Sequence, residues 1–334
     1  MKRVLVTGAT GGLGQNAVDA LIGRGIDVRA SGRNWAVGER LSCKGTQFVA
    51  LDLATAAPEQ MASLVDGVDA VWHCAALSAP WGRMADFVAA NVTATERLVN
   101  AAGRAGVRNF VHISTPAIYF DFTHRFDVPE SFKPVRYVNA YALTKARAED
   151  IVRDAATRFP SMRCVILRPR AIFGPHDNVL MPRLARVLRE RKGTLPLPRE
   201  GKVKLDVTYV ENVVHAMWLA TTASRLESGM AFNITNHEPV AMDDILRRLF
   251  KDALQQPFRI ASPPYMLMAG AARALEALSR FTGKEPVLTA YSVGAISYDM
   301  TLSNAKAIED LEYVPPVTLA EGINRTAEWM KQHG

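Results

Sequence analysis

The sequence is poor in cysteine, and the little it has follows no pairing pattern. Cys43, Cys74 and Cys164 are three in 334 residues, far apart, odd in number and in no Cys-x-x-Cys pair. That argues against a disulfide framework and a thiolate metal centre, so no metal is expected and a reducing cytoplasm is. Uninterrupted apolar runs are also missing. The stretch Tyr265 to Phe281 is rich in Met, Ala and Leu, but Arg273, Glu276 and Arg280 break it. It is too short and too charged to span a bilayer, so stable membrane insertion is not expected. It reads instead as an amphipathic helix on a substrate domain, or a surface-seeking one. No apolar leader is visible, because Lys2 and Arg3 run straight into the first strand. Without zinc-finger spacing, an RNP-like aromatic pattern or a basic tail, nucleic acid is not an expected partner. No repeat stands out. The net charge of +7 suits solubility and would also suit an anionic ligand such as a nicotinamide dinucleotide phosphate.

What is present is an ordinary globular composition, 49% hydrophobic and 22% charged. It is organised around Val4-Leu5-Val6-Thr7-Gly8-Ala9-Thr10-Gly11-Gly12-Leu13-Gly14. Lys2 to Val6 reads as a buried strand, and Gln15 to Gly23 is apolar at helical spacing. Between them stand Gly8, Gly11 and Gly14. A strand, a glycine turn and a helix in that order give the motif its meaning. Gly8 allows the tight turn, Gly11 lets backbone approach a pyrophosphate, and Gly14 lets helix and strand pack closely. The helix N-terminus offers free N–H groups and the positive dipole end to phosphate.

Further strands are read at Asp27–Ser31, Gln47–Leu51, Ala70–Cys74, Asn109–Ile113 and Arg163–Leu167. Helices are read between them, including 91–105 and 141–159. That alternation predicts an α/β, Rossmann-type, doubly wound parallel sheet over 1–174. It is rejoined by 206–236, where Asp206–Val210 and Ala231–Asn236 read as strands and Glu211–Ala223 as a helix. Segments 175–205 and 237–334 would form a smaller, mostly C-terminal, discontinuous substrate-binding lid. At the end of the second strand Gly32 stands where an acid usually holds the ribose hydroxyls of NAD, and Arg33 follows. An arginine there suits a 2′-phosphate, so NADP(H) is expected over NAD(H), with NAD(H) still open. The small residues Ala75-Ala76-Leu77 after the fourth strand let a cofactor lie against the backbone. His73 sits in an apolar run with no nucleophile spaced around it and reads as a packed histidine.

The Gly-x-x-Gly-x-x-Gly spacing after Thr7 resembles the extended branch of the short-chain dehydrogenase/reductase superfamily, the epimerase/dehydratase-like enzymes. Asn109-Phe-Val-His-Ile-Ser-Thr-Pro-Ala-Ile-Tyr119 resembles that branch's Ser-Ser-x-x-Val-Tyr-Gly segment, with Phe120 replacing its usual glycine. Trp81-Gly82, Glu285 to Thr289 and Leu319 to Trp329 look like its 3β-hydroxysteroid dehydrogenase-like and 2-alkyl-3-oxoalkanoate reductase members. The resemblance implies that Asp52 reaches the adenine, and that Asn91 supports the active site and is counted in the cofactor-binding set. It implies that Thr10, Gly12, Leu13, Leu53, Pro169 and Ile172 belong to the same set. It also implies a homodimer and a small hydrophobic hydroxy/oxo substrate.

The chemistry falls on Thr115, Tyr141 and Lys145. Hydride transfer to a ketone leaves an alkoxide that needs a proton, and a tyrosine donates one if its pKa is brought down from about 10. Tyr141 and Lys145 are four apart, so a helix puts them on one face, where the ammonium favours the phenolate and can hold the nicotinamide ribose. Thr115 ends the fifth strand, 26 residues before Tyr141, and can orient the substrate oxygen; the family pattern places the catalytic hydroxyl four before the tyrosine, at Thr115, with Ser114 as rival. The expected activity is an NADP(H)-dependent ketone/alcohol oxidoreductase on a steroid-like or acyl-chain substrate. Two alternatives stand. One is a nucleotide-sugar epimerase or dehydratase with tightly held NAD, using the basic stretch Arg183 to Lys204 for a diphosphate; the other is a non-catalytic dinucleotide sensor. Trp81, Met84, Tyr265 and Met268 are candidates for an apolar substrate wall.

Overall fold

The protein is described from a computed structural model covering residues 1–177 and 180–333. Seven parallel strands form the central sheet: β1 Arg3–Thr7, β2 Asp27–Gly32, β3 Gln47–Ala50, β4 Ala70–His73, β5 Asn109–Ile113, β6 Arg163–Pro169 and β7 Met230–Ile234. Their order across the sheet is β7-β6-β5-β4-β1-β2-β3. The order reverses between β1 and β4, and a doubly wound sheet opens its ligand crevice at that point, beyond the strand C-termini. The inner strands are largely apolar because both faces are covered, with His73 and His112 as buried exceptions. Val4, Val6, Trp72, Val111 and Val165 pack on one face with helices α1 (Gly12–Ile22) and α2 (Trp35–Cys43). Leu5, Val71, Phe110 and Ile166 pack on the other with α3 (Pro58–Val65), α4 (Ala94–Arg104) and α5 (Ala140–Arg158).

Beyond β6 the chain adds α6 (Leu180–Glu190), α7 (Val210–Thr222), α8 (Tyr265–Thr282) and α9 (Leu319–His333). Helix α7 returns to the sheet and buries Val213, Val214, Met217 and Ala220 in its first core. A separate apolar cluster joins Phe173, Leu195, Tyr209, Leu246, Phe250 and Ile323.

Three segments differ from the sequence reading. Of Asp206–Val210 only Thr208–Tyr209 is a strand, and it pairs with Ile172–Phe173 outside the central sheet; Asp206 lies before it, its carboxylate accepting the Leu302 N–H at 2.7 Å. Arg125–Val128, inside 1–174, pairs with Met300–Leu302 in a second, four-stranded sheet. The helix expected from Asn91 begins earlier, as an α-helical turn at Met84–Phe87, passes through a π-helical turn, Val88–Thr93, and is α-helical again from Ala94. Such π-helical turns are frequent at functional sites, and this one carries Asn91. On α8, Met268, Ala269 and Ala272 face inward while Met266, Leu267, Leu278 and Phe281 are exposed. No helix among the described residues is long and apolar enough to cross a membrane.

Candidate active site

The glycine turn joins β1 to α1 at the crevice. Gly8 has φ +64°, and a Cβ there would lie 2.7 Å from the Ala75 backbone nitrogen, so turn and β4 end meet backbone to backbone. A Cβ on Gly14 would lie 2.1 Å from the Gly8 carbonyl oxygen. Gly14→Ala is therefore expected to push α1 off β1, lowering stability by about 1–3 kcal/mol and dinucleotide affinity with it. Thermal melting with and without cofactor checks this, and an unchanged melting temperature in both would count against it. Gly11 is the N-cap of α1, and no side chain caps the helix. The first-turn N–H groups of Gly12, Leu13 and Gly14 are left for a phosphate. This cradle fits a dinucleotide on steric grounds and on donor chemistry.

The remaining sequence-derived cofactor residues ring the same edge. Thr10 lies against the end of β2, where a Cβ on Gly32 would sit 2.6 Å from Thr10 Oγ1. Arg33 is exposed and reaches within 3.7 Å of Asp52, which follows β3. Asp52 also accepts the Ala54 N–H at 3.0 Å, and Leu53 is buried beside it. Ala75, Ala76 and Leu77 leave β4, and Asn91 clasps Leu77. Asn91 Oδ1 accepts the Leu77 N–H at 2.7 Å, and Nδ2 donates to the Leu77 carbonyl and to Thr144 Oγ1. Pro169 ends β6, and Ile172 opens the short strand paired with Thr208.

Thr115, Tyr141 and Lys145 come together where β5 and α5 meet that edge. Thr115 leaves β5 and caps a short 3₁₀ turn, Pro116–Tyr119, with Oγ1 accepting the Ala117 N–H at 3.2 Å. Asn139 caps α5 and so sets the helical phase of Tyr141 and Lys145. The hydroxyls of Thr115 and Ser78 face the Tyr141 phenol and favour its ionised form, but burial outweighs them and holds its pKa above the ordinary value. Lys145 is buried. Its Nζ donates to the Ile113 carbonyl at 2.6 Å and lies 3.2 Å from His112 Nε2. Burial pulls its pKa down to about 8, against the opposing pull of Glu149 and Cys74. The sequence reading expected Lys145 to govern the phenol; here desolvation governs it, and the ammonium is turned to β5.

Ser114, the rival hydroxyl, faces away from Tyr141. Its Oγ donates to Glu149 Oε1 at 2.6 Å inside a buried ion-pair network. His73 is packed as expected, between Thr7 Oγ1 at 2.7 Å and Thr95 Oγ1 at 2.9 Å. Burial pushes it down to about 3, so it is neutral. Of the apolar wall candidates, Met268 is buried in a small separate cluster with Ala272 and Val293, and Met84 is exposed. Tyr265 meets Tyr298 edge-on at 5.6 Å, Tyr298 meets Phe120 at 6.3 Å, and Phe120 meets Tyr291 at 5.6 Å. Phe120, the departure from the family pattern, thus ties the turn after β5 to the C-terminal segment. Ser78, His112, Arg170 and Tyr291 are site neighbours that sequence reasoning missed. The one available signal was His112, a polar residue between Val111 and Ile113 near the end of a mostly apolar strand. Among the described residues, no group of His, Cys, Asp and Glu is arranged to hold a metal ion.

Residues 4–235 match the NAD dependent epimerase/dehydratase family. The chain belongs to that family. It is 45% identical over 334 residues to the uncharacterized protein YbjS of Escherichia coli (strain K12), covering 99% of this chain and 98% of that one. It is 34% identical to the 2-alkyl-3-oxoalkanoate reductase of Stenotrophomonas maltophilia (strain K279a), covering 97% and 98%. Its fold superposes on MoeE5, solved with UDP-glucuronic acid and NAD, with a TM-score of 0.77 at 22% identity over 99% of this chain and 100% of that one. The protein is accordingly an enzyme of the extended short-chain dehydrogenase/reductase type, NAD(P)-dependent, with oxidoreductase or epimerase-type chemistry.

Proposed function

We infer that this enzyme is an NADP(H)-dependent oxidoreductase that interconverts a ketone and a secondary alcohol on a hydrophobic, steroid-like or acyl-chain substrate. The observation that carries the reading is the Tyr141 phenol, faced by Thr115 and Ser78 hydroxyls, beside the ring sequence Phe120, Tyr291, Tyr298 and Tyr265. A bound dinucleotide supplies the hydride donor or acceptor. Gly8 to Gly14 hold its pyrophosphate, Asp52 and Leu53 its adenine end, and Asn91, Pro169 and Ile172 line its path. Thr115 orients the substrate oxygen, Tyr141 gives that oxygen its proton in reduction and takes it back in oxidation, and Lys145, two of whose N–H donors face Ile113 and His112, offers the third to the ribose. The aromatic rings keep water from the reacting carbon. The likeness to a 2-alkyl-3-oxoalkanoate reductase over nearly the full length supports a hydrophobic oxo substrate.

The nucleotide-sugar alternative needs free cations for a diphosphate. Arg183 faces Glu285 at 3.4 Å, Arg199 faces Asp299 at 3.1 Å and Lys202 faces Glu200 at 3.3 Å, so much of the basic stretch is a solvated, neutralised face. Screening 3-oxo and 3-hydroxy compounds of increasing chain length against UDP-sugars tests the reading. Rising kcat/KM with chain length supports it, and faster turnover of UDP-sugars overturns it.

The NADP(H) preference rests on the end of β2. The Thr10 side chain fills the space a Cβ at residue 32 would take, so an acid does not fit there, while Arg33 is exposed and held only by a solvent-screened pair with Asp52. Arg33→Ala is expected to weaken NADPH by about 1–3 kcal/mol and NADH hardly at all. Fluorescence titration with both cofactors decides this, and equal wild-type affinities would sink the preference.

A further inference from the structure

Two buried histidines lie side by side near the crevice ends of β4 and β5. They are His73 and His112, with ring centroids 5.3 Å apart. Their hydrogen bonds fix where each carries its proton. Thr95 Oγ1 donates to the Asn91 carbonyl at 2.7 Å, so it accepts from His73 Nε2 at 2.9 Å. His73 therefore holds its proton on Nε2, and its Nδ1 accepts from Thr7 Oγ1 at 2.7 Å. Both nitrogens are engaged, and His73 is a satisfied core residue. His112 is not. An ammonium has donors only, so Lys145 Nζ, 3.2 Å away, donates to His112 Nε2. Burial keeps the imidazole neutral, which leaves its one proton on Nδ1. That nitrogen is sealed from solvent and has no hydrogen-bond partner among the described residues.

An idle N–H inside a core is a cost that a hydrocarbon of the same shape avoids. What the imidazole offers and a hydrocarbon cannot is the Nε2 lone pair, and Lys145 takes it. The Ile113 carbonyl accepts a second N–H of the same ammonium at 2.6 Å. The two acceptors belong to adjacent residues of a strand paired on both sides, with His112 opposite His73 of β4 and Ile166 of β6. They form a rigid two-point mount, and among the described residues no third acceptor meets Nζ. The charge type matters too. A carboxylate at this position would pair with the ammonium and keep it in the core. A neutral acceptor orients the ammonium and leaves its charge available.

We propose that His112 is a positioning residue for Lys145: its neutral imidazole and the Ile113 carbonyl take two N–H donors of the ammonium and aim the third at the cofactor ribose. This inference rests on the reading of Lys145 as the group that holds the ribose. The other groups that face the pair keep one charge state near neutrality. Burial pushes the Cys74 thiol, at the end of β4, up to about 12 and holds the Tyr141 phenol above its ordinary value. His73 is neutral, at about 3, and Glu149 on α5 is held below the usual carboxylate range. Arg153 faces His112 from α5 as a permanent cation. Lys145, pulled down to about 8, is the group left to titrate.

Two substitutions separate positioning from packing. His112→Gln keeps a neutral acceptor at the place of Nε2, whereas His112→Phe keeps the ring and its apolar volume without an acceptor. In titrations with NADPH and NADH, His112→Gln is expected to stay within about threefold of wild type and His112→Phe to bind about ten- to a hundredfold more weakly, as loss of a hydrogen bond to a charged group predicts. Both cofactors carry the same nicotinamide ribose, so both should weaken alike, unlike the selective loss in Arg33→Ala. Without Nε2, burial favours the neutral amine, so cofactor affinity of His112→Phe should fall off about one pH unit below that of the wild type. The opposite ranking, with His112→Phe near wild type and His112→Gln impaired, assigns His112 to packing and overturns the proposal. Nitrogen-15 NMR of histidine-labelled wild type keeps the test open if a variant fails to fold. His112 is expected as the neutral Nδ1–H tautomer at pH 7, and an Nε2–H tautomer overturns the proposal. Lys145→Met tells the two readings apart. If it leaves cofactor affinity unchanged, the ribose reading fails and the proposal with it. If it weakens the cofactor while His112→Phe does not, the ribose reading stands and the positioning role fails.

Discussion

Tyr141→Phe is expected to lower turnover about 10²–10⁴-fold while cofactor binding and melting temperature stay near wild type. The change removes one hydroxyl and keeps the ring that packs at the start of α5. It removes the group on which Thr115 and Ser78 converge, so the carbonyl loses its proton donor and only the oriented substrate and the bound dinucleotide remain. Burial keeps the Tyr141 pKa above its ordinary value, which fixes the sign of the pH dependence. The phenol is protonated at neutral pH, so reduction should hold steady through neutrality and fall as the pH rises through that pKa. Oxidation needs the phenolate and should climb over the same range. Thr115→Ala should be damaging and Thr115→Ser mild, because the hydroxyl is the working group. Ser114→Ala should hurt catalysis less, since its hydroxyl serves Glu149. Steady-state kinetics across pH, alongside a cofactor titration, measures all of this. Near-normal turnover of Tyr141→Phe overturns the mechanism, and a larger defect in Ser114→Ala than in Thr115→Ala reassigns the hydroxyl.

Much of this was legible from local rules. The run Val4 to Gly14 announces strand, turn and helix because each step has its own chemistry within a dozen residues, and β1 and α1 form within a few residues of the expected positions. Tyr141 and Lys145 were legible because four residues make one helical turn. What escaped depends on distant chain. Arg125–Val128 becomes a strand by pairing with Met300–Leu302, some 175 residues on, and the alternation of Arg-Phe-Asp-Val over four residues is too short to announce it alone. Asp206 looked like the start of a strand but lies before it, its carboxylate accepting the distant Leu302 N–H. Arg168 and Arg170 are two residues apart in an Arg-Pro-Arg string and cannot be told apart there. Only the fold shows that Glu149 pairs with Arg168 while the Arg170 Nε finds no hydrogen-bond partner among the described residues. Met268 and Tyr265 stand on one helix and pack in one small cluster, yet the first is buried there while the second also reaches the ring of Tyr298. Periodicity marks an inward face but does not say which cavity or core that face meets.

The largest stability effect is expected at Arg168. Glu149 is buried to 1% exposure and accepts from Arg168 Nε at 2.8 Å and from Arg168 Nη2. It also accepts from Ser114 Oγ at 2.6 Å and Arg153 Nη2 at 2.8 Å. Arg168 further bonds the Tyr119 hydroxyl and the Glu130 carbonyl. Arg168→Met strands the carboxylate with one partly exposed arginine and one serine, and should destabilise the fold by about 3–5 kcal/mol. Arg168→Met combined with Glu149→Leu removes both charges and should recover most of that loss, because a buried pair replaced by apolar volume is often nearly neutral. In the wild type, Arg168 and its neighbours hold the Glu149 pKa below its ordinary value. Its contribution is therefore present above the unfolded carboxylate pKa and lost as pH falls through the lower, folded one. In Arg168→Met, burial without the guanidinium pushes that pKa the other way, so the stranded carboxylate takes up a proton in mild acid and is relieved. The gap between wild type and variant should be widest at neutral pH and narrow toward pH 5. The site should register the change as well, because Ser114 precedes Thr115 and Glu149 lies one turn after Lys145, whose ammonium it stabilises. In the stability-restored double variant the Lys145 pKa should drop further below about 8, and cofactor affinity should fall off at a lower pH than in the wild type. Urea unfolding at two pH values and a pH series of cofactor titrations read both effects. A single variant less than about 1 kcal/mol below wild type, or a gap that does not narrow in acid, would show that this pair is not what holds α5 to β5 and β6.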